Sequence, residues 1–578
     1  MTCASRRTAI ALVAIAVALM LLIAPARPAA AHSTLVQTDP PASSHLDASP
    51  KVISLRFNEV VAGPVGAIRV FDVNGKRLDD GSVSRVGDDD HTVSTDLARL
   101  PDGGYVVTWR VISADGHPAQ GAFTFSVGIG RAVSDNVAAR LLAARGGAVA
   151  TGGVFAAARF LALSGTLVLL GIAFLIVTAW QAGRTTGRTA RIVWISWLVA
   201  LVATVASFVL EGVYGAGLPL SDVARSTVLS STFHTRYGEA ALGRVALLVI
   251  GGAPLIRPLL ASSVPRWWRP LAGVWALVLL AALSYGGHAS TGLLPPVAMI
   301  ADVAHVGAAA AWIGGLVGLV LLVLPATSGA ERAHALRSVS KANLIAVAVL
   351  ITSGLIQSWR QVGTLGAIGR TDYGHLLAAK TIAVALMIGL GALARSMIRT
   401  RWPANAVTPT GAAGEPTPPN NAPQPTRRTA EPNATARLLK SVRAEVVLAT
   451  AVLVLTALLV EAQPARTADA RPFNVTFTSN LALVDLSIDP AKVGRTDVHA
   501  YLLTPAGAQL DAQDVEIELR NDAKGIGPLN LNMRRITPGH WASYATTLPL
   551  AGRWQIDTKV RTTDIDEHSW NTTMIVRG

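Results

Sequence analysis

Eight apolar stretches, each about as long as a bilayer is thick, constrain this chain more than anything else in it. They lie near residues 154–180, 191–213, 238–260, 268–286, 296–325, 341–360, 372–394 and 441–461. About 20 apolar residues in a helix cross the hydrocarbon core, where every backbone polar group must be satisfied within the segment itself. The middle of the chain is therefore predicted to be an eight-helix transmembrane bundle with the lipid bilayer as a partner. A hydrophobic content of 51% and a mean hydropathy of +0.43 agree with that class. The net charge of +14 would suggest nucleic acid in a soluble protein. Here many basic residues fall in short loops between spans, where they set topology, and no nucleic-acid partner is expected.

The loops after spans one, three, five and seven hold the basic residues. They carry Arg184, Arg188 and Arg191, then Arg257, Arg266 and Arg269, then Arg332, Arg337 and Lys341, then Arg399, Arg401, Arg427 and Arg428. The alternate loops are poor in them, which puts the basic loops in the cytoplasm. Residues 1–31 read as a signal peptide, with Arg6 and Arg7 ahead of an apolar run and Ala29-Ala30-Ala31 before the cut. An even number of spans then leaves both polar flanks outside, as the signal peptide independently requires for the first. The expected location is the cytoplasmic membrane, multi-pass, with both soluble domains extracytoplasmic. The single cysteine, Cys3, falls in the leader, so the mature chain offers no thiolate and no disulfide.

Residues 32–128 read as a β-sandwich. Ile53, Leu55 and Phe57 alternate with polar residues, as do Phe123, Phe125 and Val127. Residues 463–578 alternate in the same way over six segments, at 474–478, 481–488, 498–503, 541–547, 552–560 and 569–576, and read as a second small β-sandwich outside the membrane. Between spans seven and eight, residues 403–433 are rich in Pro, Thr, Asn and Ala, the composition of a disordered cytoplasmic loop. The membrane domain is taken as 150–462.

A cut after Ala31 leaves His32 with a free α-amine, and that amine with its own imidazole can chelate one metal ion as an N,N pair. Asp115 and His117, in Ser113-Ala114-Asp115-Gly116-His117-Pro118, share a face if the backbone there is extended. Three nitrogens and one carboxylate oxygen suit tetragonal Cu(II), the tightest-bound divalent ion at such a donor set. The first domain has no Met and no Cys, so a soft-sulfur Cu(I) site is not available to it.

These residues carry a resemblance. His32, Asp39-Pro40-Pro41, Leu55-Arg56-Phe57-Asn58-Glu59 and the run from Gly104 to Pro118 resemble the CopC family of periplasmic copper-binding domains. The resemblance implies a CopC-type, cupredoxin-like β-sandwich with Cu(II) on His32, Asp115 and His117. Glu59 matches an acidic position near the family's site. His45 and His91 fall outside the motif and are expected in solvent.

Ionisable residues within spans are functional candidates. Asp302 and His305 lie three apart in the fifth span and so face one side of a helix. His288 precedes that span at its outer mouth. His288, Asp302 and His305 together form the candidate transport path, with copper ion as the substrate. Glu211, Lys380 and Glu445 lie nearer span ends and are expected to snorkel or to pair within the bundle. From about 150 to 462 the chain is similar to the CopD family of copper-resistance membrane proteins. That likeness is carried by Asp302, His305, Trp312-Ile313-Gly314-Gly315-Leu316, Ser353-Gly354, Tyr373-Gly374-His375-Leu376-Leu377, Lys380 and Glu445. It implies copper movement across the cytoplasmic membrane in copper uptake, homeostasis or resistance, rather than an enzyme. The C-terminal segment weakly resembles the YtkA-like β-sandwich, and no spacing assembles His499, His540 and His568 into a site.

Two other functions compete. One is a haem-containing or copper-reducing redox membrane protein, which would need histidines from two spans at one depth. The other is a copper delivery module for an extracellular oxidase, with the membrane part an anchor.

Overall fold

The computed structural model describes residues 35–128, 141, 149–401 and 432–577, except 42–43, 58, 65, 85–88, 114–115, 117, 292–293, 470–472, 481, 505–509 and 538. The expected leader and nearly all of the expected 403–433 loop lie outside the described residues.

The N-terminal region is a β-sandwich. One sheet orders β1 (Leu35–Asp39), β3 (Val52–Phe57) and β6 (Thr92–Asp96). The other orders β2 (Ser44–Leu46), β8 (Pro118–Val127), β7 (Gly103–Ser113) and β4 (Val61–Ala62), with β5 (Ile68–Asp72) also on β7. The alternating residues Ile53, Leu55 and Phe57 point into the core against Val107, Trp109, Val111, Phe123 and Phe125. Phe57 meets Trp109 edge-on at 5.3 Å.

β7 departs from simple alternation because both of its faces are covered, its whole length from Gly104 to Ser113 being buried. Tyr105, Val107, Trp109 and Val111 fill the sandwich core. Arg110 and Ile112, on the opposite face, press on the membrane domain.

Among the described residues, that domain contains eight helices long and apolar enough to cross a membrane. They are α1 (Ala150–Thr178), α2 (Gly187–Ala216), α3 (Arg236–Leu259), α4 (Trp268–Tyr285), α5 (Pro295–Ala326), α6 (Gly329–Val362), α7 (Asp372–Thr400) and α8 (Ala436–Val460). α5 is irregular, with π-type turns at Ala310–Gly314 and Leu319–Val323. The first of these turns packs on α1, where a Cβ on Gly171 would lie 2.1 Å from the Ala310 carbonyl and one on Gly314 would lie 2.6 Å from Gly171 Cα. Only a pair of glycines allows the two backbones so close. Gly314 in the Trp312-Ile313-Gly314-Gly315-Leu316 motif is thus a packing residue, and Trp312 beside it is buried.

Arg110, 7% exposed, ties the sandwich to the end of α2. Its Nε donates to the Gly215 carbonyl at 2.8 Å, its Nη2 to the Tyr214 carbonyl at 3.0 Å and its Nη1 to Gln120 Oε1 at 2.8 Å. Ile112 fills the notch left by Gly215, where a Cβ would come within 2.4 Å of its Cδ1. Charge-assisted bonds of this kind contribute about 1.5–3 kcal/mol each. Arg110→Ala is expected to speed hydrogen exchange at the last turn of α2 while leaving the cores intact. Unchanged exchange there would show that the apolar contact alone holds the domain.

The C-terminal region is a second β-sandwich. One sheet orders β14 (Arg534–Thr537), β15 (His540–Leu548), β11 (Gly494–Leu503), β10 (Leu483–Asp489) and β9 (Phe473–Thr478). The other orders β13 (Ile526–Leu531), β12 (Asp514–Asn521), β16 (Gly552–Arg561) and β17 (Glu567–Val576). It is fastened to the bundle at Asp469. That carboxylate accepts from Arg370 at 2.8 and 3.1 Å, and the Asp469 carbonyl accepts from Arg577 at 2.7 Å. Both sandwiches therefore attach at the same end of the bundle, the end opposite the Arg-rich loops.

Candidate functional site

The sequence candidates divide between two places. In the N-terminal sandwich His32, Asp115 and His117 lie outside the described residues, and the strands on either side of the Asp115–His117 pair are described. β7 and β8 pair down to Ile112 and Pro118. Gly116 turns the tip with a φ of +85°, its N–H donating to the Ser113 carbonyl at 2.9 Å. Glu59 is half-buried just beyond β3. His91 is not fully in solvent as expected: it is half-buried, with Nδ1 3.4 Å from the Phe57 carbonyl oxygen.

The hairpin tip rests on the membrane domain. A methyl group at Gly116 would sit 3.7 Å from Tyr237 Cβ at the start of α3 and 3.9 Å from the carbonyl of Gly286, just past α4. Two residues beyond Gly286 comes His288, in a short turn at His288–Ser290. Two arginines pin that turn. Arg236 donates to the Ser290 carbonyl at 3.3 Å, and Arg360 of α6 donates to the Thr291 carbonyl at 2.5 Å. The mouth loop is thus tied to the start of α3 and to α6.

Below it, Asp302 and His305 project from α5 toward α6. Gln357 Nε2 donates to Asp302 Oδ1 at 3.0 Å, and His305 Nδ1 lies 2.9 Å from Ser353 Oγ. The Ser353 hydroxyl spends its one proton on the Val349 carbonyl at 2.6 Å. It therefore accepts from His305, so Nδ1 carries the ring proton and Nε2 keeps a lone pair suited to a metal. Ser353 and Gln357 are four apart on one face of α6, the spacing needed to orient two side chains that are three apart on a facing helix.

Charge is also arranged here. Lys380 of α7, Arg360 of α6 and His288 all bear electrostatically on Asp302. Lys380 thus faces inward to the bundle. Glu211 and Glu445, expected to snorkel or to pair within the bundle, are held inside it, each only 2% exposed. Thr232, Thr235 and Arg159 surround the Glu211 carboxyl. His234 and His375 are exposed at helix ends, on the carbonyls of Ser230 and Gly369 at 3.0 and 3.1 Å.

In the C-terminal sandwich the structure makes a juxtaposition that sequence spacing missed. His499 Nδ1 and His540 Nε2 are 3.1 Å apart. Burial lowers the pKa of His499 and pushes that of His540 down to about 4, so both are neutral at pH 7. His568 stands apart on β17, stacked on Trp570 at 5.8 Å.

Comparison with known proteins bears on these sites. The CopC domain family matches residues 35–128, the copper resistance protein D-like N-terminal domain family matches 149–295, and the copper resistance protein D family matches 333–459. The chain belongs to the CopC and CopD copper resistance families. The copper transport protein CutJ of Bacillus subtilis (strain 168) is 27% identical over 374 residues, 63% of this chain and 67% of that protein. Protein YobA of Escherichia coli (strain K12) is 32% identical over 98 residues, 17% of this chain and 79% of that one. Among solved structures, CopC from Methylosinus trichosporium OB3b is 35% identical, covering 17% of this chain and 93% of that chain at a TM-score of 0.15. The CopC domain comes up against the first of the two CopD segments, where Gly116 lies beside Tyr237 and Gly286. Asp302 and His305 fall between the two CopD-matched segments, while their orienting partners Ser353 and Gln357 lie within the second.

Proposed function

We propose that this CopC–CopD protein captures Cu(II) outside the cell and passes copper across the cytoplasmic membrane. The capture ligands are His32, by amine and imidazole, with Asp115 and His117, and Glu59 stands nearby. The ion then passes to His288 and on to Asp302 with His305. The observation that carries this reading is the seat of the hairpin tip. Gly116, between two of the capture ligands in sequence, lies beside Gly286 at the start of the loop that holds His288, so an ion leaving the first site is near the mouth of the second.

The donor types suit such a path. Imidazole nitrogens are borderline ligands that replace the ion's water, and Asp302 supplies negative charge against the cost of desolvation. Lys380 bears on that charge, and a passing cation exchanges with it. No covalent chemistry is asked of the protein. Attachment of both sandwiches at the end opposite the Arg-rich loops supports an extracytoplasmic place for both.

The test is accumulation of isotopically labelled copper by cells with and without the gene, together with the N-terminus of the mature protein. The mature chain is expected to begin at His32, because the chelate needs that amine. A start at Ala31 or Ser33 would remove the capture site. A Soret band in the purified protein would favour the haem-bound redox reading instead.

A further inference from the structure

We infer that the C-terminal sandwich carries a second Cu(II) site on His499 and His540. The inference does not depend on the capture site or on the membrane path. It begins from the strand register. Val498, Ala500 and Leu502 of β11 are buried in the sandwich core, so His499 and Tyr501 lie on its outer face. β15 runs antiparallel beside it with Tyr501 opposite His540 and His499 opposite Ala542. His499 and His540 are therefore diagonal neighbours across two strands, the relation that lets long side chains meet on one face of a sheet.

Aromatic walls hold the pair. Tyr501 stacks on His540 at 4.3 Å with the rings 14° apart, and Tyr544 meets His499 edge-on at 5.6 Å. The nitrogens that face each other are 3.1 Å apart. With metal–nitrogen bonds of about 2.0–2.1 Å, two imidazoles on one ion sit roughly 2.9 Å apart at a right angle and roughly 3.4 Å apart at a tetrahedral angle. The pair is spaced for a single ion before any ion arrives. Metal binding displaces the proton the two nitrogens now share. That proton moves to the far nitrogen of the same ring, so both imidazoles remain neutral and no net proton is lost.

No set of three His, Cys, Asp or Glu side chains forms a metal-holding group among the described residues. The remaining coordination positions thus fall to water or to a ligand brought by another molecule. Asp497, two residues before His499 on the same strand, bears on its charge and favours a cation there. An ion held by two cis imidazoles and open elsewhere exchanges readily, which is the property of a relay or loading point rather than of a store.

The experiment uses the full-length protein in detergent, with Cu(II) ions as the probe and equilibrium dialysis and electron paramagnetic resonance as readouts. The parent is compared with His499→Ala and with His540→Gln, and thermal melts monitor folding. Each variant is expected to lose one bound Cu(II) per chain and the tetragonal signal with coupling to two nitrogens. Should His499→Ala fail to fold, His540→Gln gives the same readout, since glutamine keeps a polar partner for His499. Unchanged copper stoichiometry in a folded variant overturns the site and leaves the two histidines as a structural hydrogen bond. Failure of the capture site would appear separately, in His117→Ala, with the two-nitrogen signal retained.

Discussion

Cells expressing Asp302→Ala or His305→Ala should accumulate no more copper than cells lacking the gene, at equal protein level in the membrane. The local geometry explains why the loss should be one of chemistry rather than of folding. Ser353 already donates its proton to the Val349 carbonyl, so removing His305 orphans no buried donor. Asp302→Asn sharpens the test: asparagine still accepts from Gln357, and only the charge is gone. With the carboxylate neutralised, Lys380 and Arg360 are left facing the route, and like charge opposes a copper ion in a low-dielectric medium. Asp302→Asn should therefore be as inactive as Asp302→Ala. His288→Ala should reduce uptake less, since water can replace a ligand at the mouth. Parental accumulation in His305→Ala would make that histidine a packing residue and place the route elsewhere.

The second large effect belongs to the capture site. In the full-length protein, His117→Ala or one extra residue ahead of His32 should weaken Cu(II) binding by more than the about 10–100-fold that loss of an outer-shell partner costs. The first change removes an imidazole, and the second converts the chelating amine into an amide. Asp115→Ala should cost less, because it removes a single oxygen. Affinity should also fall as pH drops below about 6, where protons compete for imidazoles with a reference pKa of ~6.5. Titrating copper in a His499→Ala background keeps the C-terminal histidine pair from masking the result. Unchanged affinity in His117→Ala would remove the capture model.

Much of the architecture was legible because it rests on periodicities that the solvent enforces. Ile53, Leu55 and Phe57 alternate and are buried, and the eight apolar stretches became eight long helices. β12, whose Val515, Ile517 and Leu519 alternate into the core with Glu516, Glu518 and Arg520 between them, falls outside the six alternating segments read from the sequence. For Glu211 and Glu445 the sequence left two outcomes open, snorkelling or pairing within the bundle, and the structure buries both. Distance from a helix end says how far a side chain could snorkel, while packing of neighbouring helices decides whether water is there to meet it. The His499–His540 contact joins residues 41 apart in sequence. Only the pairing of β11 with β15 creates it, so no local spacing could have announced it. Ser353 and Gln357 were within reach of sequence reasoning, since polar residues four apart inside an apolar helix need partners.

The seat of the Gly116 turn against Tyr237 and Gly286 changes the kinetics of the proposed handover. A free copper carrier would have to find its membrane acceptor by diffusion, and transfer would slow as either became dilute. Here donor and acceptor are one molecule, with the donor clamped at Arg110, so transfer is first-order and its rate is set by ligand exchange alone. Flux then saturates with occupancy of the outer site. A membrane-impermeant chelator added after loading should intercept only the copper that dissociates backward, however much of it is present.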